Sequence, residues 1–516
     1  MEVLLTSLHN LMIGFGVALS PVAILFVTLG CILGLVVGVL PGLGGTAGVA
    51  LLLPLSILVP REIGIIFLAA IYWGALYGGV ITSILFAIPG EPWSVALIFD
   101  GYPMAKKGNP GLALSAAFFS SFFGMIVGAI IMVLAALPIA LFALKFGPPE
   151  MFAIMMLAFS TFVGLGRGSA WKTLLCTAFG LLLTTVGLDI VTGQPRLTFG
   201  SIMFLSGFHF VPVTVGLFGL GEILVNAEER IGLKLEKIAA KMGLHDFKAG
   251  LWSLWERKWI TITGTALGFF IGVLPGTGAT PASFVGYGLA KQYSSDPDKY
   301  GEGTIEGIIA PQSAAQSAGI GSILPLVTLG IPGSPTAAVL MAALFMYGLF
   351  PGPRMFIEET EFVWGLIASL FIANAVCLVI CLAGAPALAA IMRVPWGLLT
   401  PIIVVALVMG GYAMRNFMFD VWQVWLFGVI GYVMKKLKYP LAPLAVALVL
   451  GAMTERDLRQ SLIMGKGSPM ILFQRPISAV VLVIAVLLFA FPLLKPLWGK
   501  FRKGPPKEPK IEVEPE

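Results

Sequence analysis

Long apolar stretches alternate with short polar breaks along most of this chain, and in five places a stretch carries no charge. Residues 11–60, 63–90, 111–144, 307–353 and 362–392 contain no Asp, Glu, Lys or Arg. A helix needs roughly 20 apolar residues to cross about 30 Å of hydrocarbon, and each tract exceeds that. Inside a bilayer the backbone must satisfy its own hydrogen bonds, which leaves helices or a closed barrel. The tracts lack the polar–apolar alternation of a barrel strand, so the pattern predicts helices. Apolar stretches fall at 15–38, 63–88, 111–143, 151–166, 173–192, 201–225, 259–274, 308–330, 337–350, 362–392, 396–414, 421–434, 441–453 and 477–494. They predict an all-α polytopic membrane protein with about 10–13 transmembrane helices, the shorter stretches serving as half-helices.

Two segments depart from this pattern. Residues 226–258 hold seven Lys/Arg and five Asp/Glu on a weak helical period, with Trp252 and Trp255 near the end and Trp259 just beyond. That composition predicts an amphipathic connector at headgroup depth, joining two halves. The tail from 499 to 516 is charged and Pro-rich, which predicts disorder on the cytoplasmic side.

Composition supports the membrane assignment. Hydrophobic residues make up 58% of the 516 and charged residues 11%, against about 25% charged in a soluble chain. Mean hydropathy is +0.97. The net charge of +6 suits lysines held in cytoplasmic loops, such as Lys106–Lys107 and Lys435–Lys436, beside anionic membrane lipid. Without a basic stripe interleaved with aromatics, nucleic acid is not an expected partner. No Lys or Arg precedes Arg61, so a cleaved signal peptide is not expected, and the N-terminus is placed on the periplasmic side. Cys31, Cys176, Cys377 and Cys381 sit in apolar tracts and read as small buried hydrophobes. His9, His209 and His245 are scattered, so neither metal site nor cofactor is expected.

The main organisational signal is an internal repeat. Gly34, Gly38-Val39-Leu40-Pro41-Gly42, Gly44 and Thr46 recur 234 residues later as Gly268, Gly272-Val273-Leu274-Pro275-Gly276, Gly278 and Thr280. A second motif, Ser83-Ile84-Leu85 then Ile88-Pro89-Gly90-x-Pro92, is matched by Ser322-Ile323-Leu324 then Ile331-Pro332-Gly333-x-Pro335. Pro removes a backbone donor, and Gly weakens a helix by about 1 kcal/mol. These stretches therefore predict interrupted or re-entrant helices at 38–56, 83–96, 272–284 and 322–336. Each interruption starts a fresh helix N-terminus, whose free N–H groups suit a carboxylate. Paired broken segments in two halves point to the binding site of a secondary transporter. The competing reading is that the glycines only let helices pack closely.

At these residues the chain resembles the large membrane subunit of the tripartite tricarboxylate transporters, the TctA family. The resemblance spans roughly 15–460. It rests on 38–47 with 51–55, Tyr77-Gly-Gly79 leading to Ile88-Pro-Gly-Glu91, Asp100-Gly-Tyr-Pro-Met-Ala105 with Gly108, and 197–200. Val211-Pro212, Gly216-Leu-Phe218 with Glu222, Ile305-Glu-Gly307 and Thr328-Leu-Gly-Ile-Pro-Gly-Ser334 complete the ordered set. The resemblance implies a substrate-translocating permease driven by a sodium or proton gradient. It also implies two partners: a small four-span membrane subunit and a periplasmic solute-binding protein. One departure stands out. The family commonly has an acidic residue where this chain has Gln312, and asparagines where it has Ala315 and Gln316. A neutral amide keeps hydrogen bonding but cannot titrate, so the substrate need not be citrate and the coupling ion stays open.

Together these readings predict an importer of a small di- or tricarboxylate across the cytoplasmic (inner) membrane, by elevator-like alternating access. The expected substrate-binding residues are Gly42, Gly44, Gly45, Thr46, Gly90, Ser94, Gly276, Gly278, Thr280, Gln312, Ser313, Gln316, Gly333, Ser334 and Thr336. Candidates for coupling Na+ or H+ are Glu91, set between Gly90 and Pro92, and Glu306. Asp100, with Lys106 and Lys107, is expected in a loop at the membrane surface, and the Ser and Thr hydroxyls could instead bond back to the preceding helical turn. The expected layout is a first repeat half at 1–225, the connector at 226–258, a second broken-helix core at 259–360, the remaining helices, with scaffold as one reading, at 361–498, and the tail. An anion channel or a non-transporting membrane scaffold is the alternative. A membrane-embedded enzyme is less favoured, because no nucleophile–base set stands at a recognisable spacing.

Overall fold

The computed structural model describes residues 2–40, 43–165, 169–189, 192–229, 242–392, 396–413 and 415–502. The fold is 81% helical. The first part of the chain runs α1 (Glu2–Ala18), α2 (Pro21–Val39), α3 (Gly44–Leu52), α4 (Arg61–Phe86), α5 (Val95–Lys106) and α6 (Pro110–Ala143). Helices α7 (Pro148–Leu165) and α8 (Ala170–Thr184) follow, then a two-stranded antiparallel ribbon of β1 (Gly187–Leu188) and β2 (Pro195–Arg196). Next come α9 (Phe210–Thr214), α10 (Gly221–Glu229) and the amphipathic α11 (Leu244–Glu256). The second broken region comprises α12 (Lys258–Val273), α13 (Ala279–Gln292), α14 (Glu306–Gly321), α15 (Leu324–Leu329) and α16 (Pro335–Met346). The chain closes with α17 (Met355–Glu358), α18 (Thr360–Ile391), α19 (Trp396–Ala413), α20 (Met418–Lys436), α21 (Leu441–Met464), α22 (Ile471–Gln474) and α23 (Pro476–Arg502).

Among the described residues, five helical segments are long and apolar enough to cross a membrane: Pro21–Val39, Arg61–Phe86, Pro110–Ala143, Phe210–Glu228 and Thr360–Ile391. Arg61–Phe86 is buried along its whole apolar window, so it is the central helix of the bundle. The other long helices turn Leu25, Leu29, Ile130, Leu134 and Val379 outward, and Val483 and Leu487 of α23 do the same. Apolar side chains exposed over so wide a surface belong against lipid. The protein is an all-α, multi-pass membrane protein, as the hydrophobic pattern predicts.

Some boundaries differ from the expectation. The stretch 15–38 is not one helix, because Ser20–Pro21 starts a new one: the Ser20 hydroxyl accepts from the Ala23 N–H (3.3 Å). Residues 308–330 divide at Ser322–Ile323 into α14 and α15. Of the connector, residues 230–241 lie outside the described residues, and so does the tail from 503; residues 499–502 continue α23.

The repeat is visible as a repeated set of backbone contacts. A Cβ built on Gly34 or Gly38 would fall 2.2 or 2.3 Å from the carbonyl oxygens of Ile71 and Ala75. On Gly268 or Gly272 it would fall 2.1 or 2.2 Å from those of Ala314 and Ala318. Gly78 meets the Leu35 carbonyl at 2.5 Å, and Gly321 meets that of Phe269 at 2.4 Å. So α2 lies on α4 as α12 lies on α14, each pair in backbone contact that only glycine allows. The outer helices follow suit: Gly14 of α1 abuts the Trp364 backbone of α18, and Gly250 of α11 abuts Ser115–Ala116 of α6.

These contacts correct one sequence match. They align α4 with α14 at an offset of 243, which pairs Gly79 with Ser322 and Gly90 with Gly333. The likeness of Ser83-Ile84-Leu85 to Ser322-Ile323-Leu324, at another offset, is therefore coincidental. The physical reason is local. The helix of the first half runs unbroken to Phe86, whereas the second half turns at Ser322–Ile323 and restarts at Leu324-Pro325.

Candidate functional site

In the first half, α2 stops at Val39 and α3 begins at Gly44, which has φ +62°. Pro41 and Gly42, the latter an expected site residue, lie outside the described residues. The second interruption follows α4, where Ala87 takes a left-handed conformation (φ 54°) and ends the helix. Glu91 is then extended, and its side chain turns back onto the start of α3: Oε1 accepts the Gly45 N–H at 2.5 Å. A Cβ on Gly44 would lie 2.9 Å from Glu91 Cγ, so glycine is required there both for its φ and for the approach of the carboxylate. A carboxylate thus occupies the positive end of a helix, where free N–H groups favour it.

The second half repeats the design with a different side chain. α12 stops at Val273, Gly276 and Gly278 have φ +80° and +61°, and α13 starts at Ala279. The later interruption follows Gly330, left-handed at φ 72°. Ser334 holds the place of Glu91: a Cβ on Gly278 would lie 3.1 Å from Ser334 Cβ. Its hydroxyl accepts from the Ala337 N–H (3.1 Å) and meets the Ser322 hydroxyl (3.1 Å). Gly90 presses on the Gly38 carbonyl and Gly333 on the Gly272 carbonyl (2.3 and 2.6 Å from a built Cβ), locking the two interruptions of each half together.

The halves also cross. Thr46 and Thr336 share a hydroxyl–hydroxyl bond of 2.8 Å, and Ser283 of α13 donates to the Trp93 carbonyl at 2.9 Å. Tyr72 of α4 directs its hydroxyl toward Ser322 and Ser334, near Glu91. All four interruptions therefore converge on one region between the halves. Exposure there is unequal. Leu43, Gly44, Gly45 and residues 331–334 are buried, whereas residues 274–277, 88 and 89, and Glu91 are partly open.

The remaining expected residues lie around this region. Ser94 is absorbed in a local cap, donating to the Glu91 carbonyl (2.8 Å) and accepting from the Glu91 N–H (3.3 Å). Ser313 donates back to the Ala310 carbonyl, the local bond its hydroxyl was open to. Thr280 is the second residue of α13, in its first turn. Gly276 faces the Phe162 ring, 2.4 Å from a built Cβ. Gln312 and Gln316 are fully buried on α14; Gln312 Nε2 donates to the Ser121 hydroxyl (2.6 Å), and among the described residues both polar ends of Gln316 lack a partner. Glu306 sits at the other end of α14, paired with Arg257 at 2.6 Å. Glycine serves both of the roles weighed from sequence: Gly34, Gly38, Gly268 and Gly272 allow close packing, while Gly44, Gly276 and Gly278 turn the chain.

Sequence reasoning misplaced Asp100 and overlooked Tyr72. Asp100 is fully buried, not in a surface loop. Its Oδ1 accepts the N–H groups of Gly301, Gly303 and Thr304 (3.0, 2.9 and 2.7 Å), and its Oδ2 accepts the Tyr287 hydroxyl (2.9 Å). The nearby lysines suggested a surface, but the carboxylate lies a turn and a half earlier on α5 and faces inward. Tyr72 had a usable signal, a phenol beside Trp73 in an uncharged tract shared with Tyr77; nothing local showed that it faces the other half.

Paired interruptions crossing between repeats, with a carboxylate on one of them, are a transporter's arrangement. The chain matches the model of the tripartite tricarboxylate transporter TctA family over residues 24–446. It belongs to the TctA family. A protein of Agrobacterium vitis described as an uncharacterized 52.8 kDa protein in the TAR-I ttuC' 3' region is 38% identical over 497 residues, 96% of this chain and 97% of the relative. Another from the same organism, described as an uncharacterized protein in the TAR-II ttuC' 3' region, is 34% identical over 233 residues, 45% of this chain and 96% of the relative. No solved structure matches the chain. As a TctA-family member it is a subunit of a tripartite tricarboxylate transporter and acts with other subunits. The TctA match takes in all four interruptions and Gln312, and ends within α21.

Proposed function

We propose that this chain is the permease subunit that moves a small di- or tricarboxylate across the cytoplasmic membrane, using an ion gradient. The observation that carries this reading is the Glu91 carboxylate on the Gly45 N–H, at the meeting point of four interrupted helices. It places a real carboxylate on the kind of donor a substrate carboxylate would use. In the second half a hydroxyl, Ser334, stands where Glu91 stands in the first, leaving the start of α13 without an internal anion from that position. We assign the substrate carboxylate to this second-half region, with Gly276, Gly278, Thr280 and the Thr46–Thr336 pair at its edge. Glu91 is assigned to the coupling Na+ or H+. The unequal exposure of the two interruption pairs supports alternating access by movement of this core against the outer helices. The partners in this reading are a small four-span membrane subunit and a periplasmic solute-binding protein.

The test is uptake into proteoliposomes bearing the complex, with a panel of radiolabelled di- and tricarboxylates and imposed Na+ or H+ gradients. Saturable accumulation that collapses with one gradient, and counterflow that survives without it, is the expected result. Non-saturable flux without counterflow would assign the chain to the channels instead.

A further inference from the structure

Away from the interruptions, the structure carries a groove of about 880 Å³ between α6, α11 and α12. Its walls are apolar: Phe123 and Val127 from α6, Leu251 and Leu254 from α11, Ile262 from α12. The polar atoms in its floor are already engaged, Thr265 with the Thr261 carbonyl (2.7 Å) and Thr261 with the Arg257 carbonyl (3.3 Å). Two lysines line it as well, Lys248 of α11 and Lys258 at the start of α12, Lys258 lying 5.3 Å from the centre of the Trp255 ring. The acidic neighbours are committed elsewhere: Asp246 caps the Gly243 N–H (2.8 Å), and Glu256 holds Arg257 (2.7 Å) and the Trp252 indole (2.7 Å). Among the described residues, neither lysine has an ion-pair partner. Trp252 and Trp255 line the groove and, with Trp259, stand exposed, as aromatics do at headgroup depth.

We propose that this groove binds one anionic phospholipid, with its phosphate between Lys248 and Lys258 and an acyl chain along Phe123, Val127 and Ile262. Two lysines without ion-pair partners beside one apolar trough match an anionic lipid. The depth argues against a transmembrane helix of a partner: from Lys258 to Thr265 the wall descends only about 10 Å, a third of the hydrocarbon thickness. A bound lipid would tie α11 to α6, where Gly250 rests on Ser115 and Ala116. It would thereby fix the entry to the second repeat.

The test uses the full chain reconstituted in vesicles of phosphatidylcholine and phosphatidylglycerol at 4:1, re-extracted in mild detergent and weighed by native mass spectrometry. Two lysines each contribute on the order of a five-fold preference for an anionic headgroup. The wild type should therefore retain phosphatidylglycerol at least roughly ten-fold over its share, and the K248E/K258E variant should retain neither lipid selectively. Hydrogen exchange of residues 244–265 in wild-type protein supplies a readout that needs no variant, and phosphatidylglycerol should slow it where phosphatidylcholine does not. Equal retention of both lipids, a preference that survives charge reversal, or exchange indifferent to headgroup would overturn the proposal. So would recovery of the native complex with a second polypeptide covering Trp252 and Trp255.

Discussion

Replacing Glu91 by Gln separates the two jobs this residue could have. The Glu91 carboxylate accepts the Gly45 N–H at 2.5 Å, a contact to the first turn of α3. A hydrogen bond to a charged group contributes about 1.5–3 kcal/mol and a neutral one about 0.5–1.5 kcal/mol. The amide oxygen of Gln can keep the contact, so E91Q should weaken it by about 1–1.5 kcal/mol, or roughly five- to ten-fold in the equilibrium that holds Glu91 against α3. If Glu91 only caps the helix, E91Q should lower the melting midpoint slightly and slow all modes of transport together. If Glu91 carries the coupling ion, the modes should split: counterflow persists within a few-fold of wild type, while gradient-driven accumulation falls to equilibration. Both are measured in the same proteoliposomes, by exchange against internal unlabelled substrate and by net uptake under the imposed gradient. Accumulation by E91Q to the wild-type ratio would refute the assignment of coupling to this residue.

Three further outcomes follow from the same geometry. Gly90→Ala and Gly333→Ala should each destabilise the protein by about 1–3 kcal/mol or more, since the new methyl meets backbone at 2.3 and 2.6 Å; thermal unfolding in detergent reads this, and wild-type midpoints for both would contradict the close approach. Asp100→Ala should cost about 2–3 kcal/mol by taking a buried, charged acceptor from three partly buried N–H groups, whereas Asp100→Asn, which keeps an oxygen toward Gly301, Gly303 and Thr304, should cost about 1 kcal/mol; equal midpoints for the two variants would refute the cap. A double-mutant cycle of Thr46→Val and Thr336→Val should show a coupling of about 0.5–1.5 kcal/mol in stability, because each single change strands the other hydroxyl, and strict additivity would remove this link between the halves.

How much of this was readable beforehand follows the range of each interaction. The interruptions were legible because their cause is local: Pro and Gly at 41–45 and 275–278 disfavour a helix whatever surrounds them. Glu91 was singled out for a similar reason, as the one charge at a break in an apolar tract. The register between α4 and α14 was not legible, since it is set by which carbonyls lie under Gly34, Gly38, Gly268 and Gly272. Motif spelling alone offered a false partner in Ser83-Ile84-Leu85. Asp100 failed for the opposite reason. Its sequence neighbours are surface lysines, but its bonding partners are some 200 residues away in the loop before α14.

The difference between Glu91 and Ser334 gives the repeat its direction. Two halves with identical interruptions would offer the same donors to a carboxylate twice, and nothing would distinguish a substrate position from an ion position. Here the first half fills its own donor with an internal carboxylate, while the second half puts a serine hydroxyl in the matching place and uses it to cap α16. Tyr72 lies between them, directed to the serines of one half and near the carboxylate of the other. The same difference explains why the glycines cannot be exchanged between roles. Gly44 must admit a carboxylate, and Gly278 only a serine.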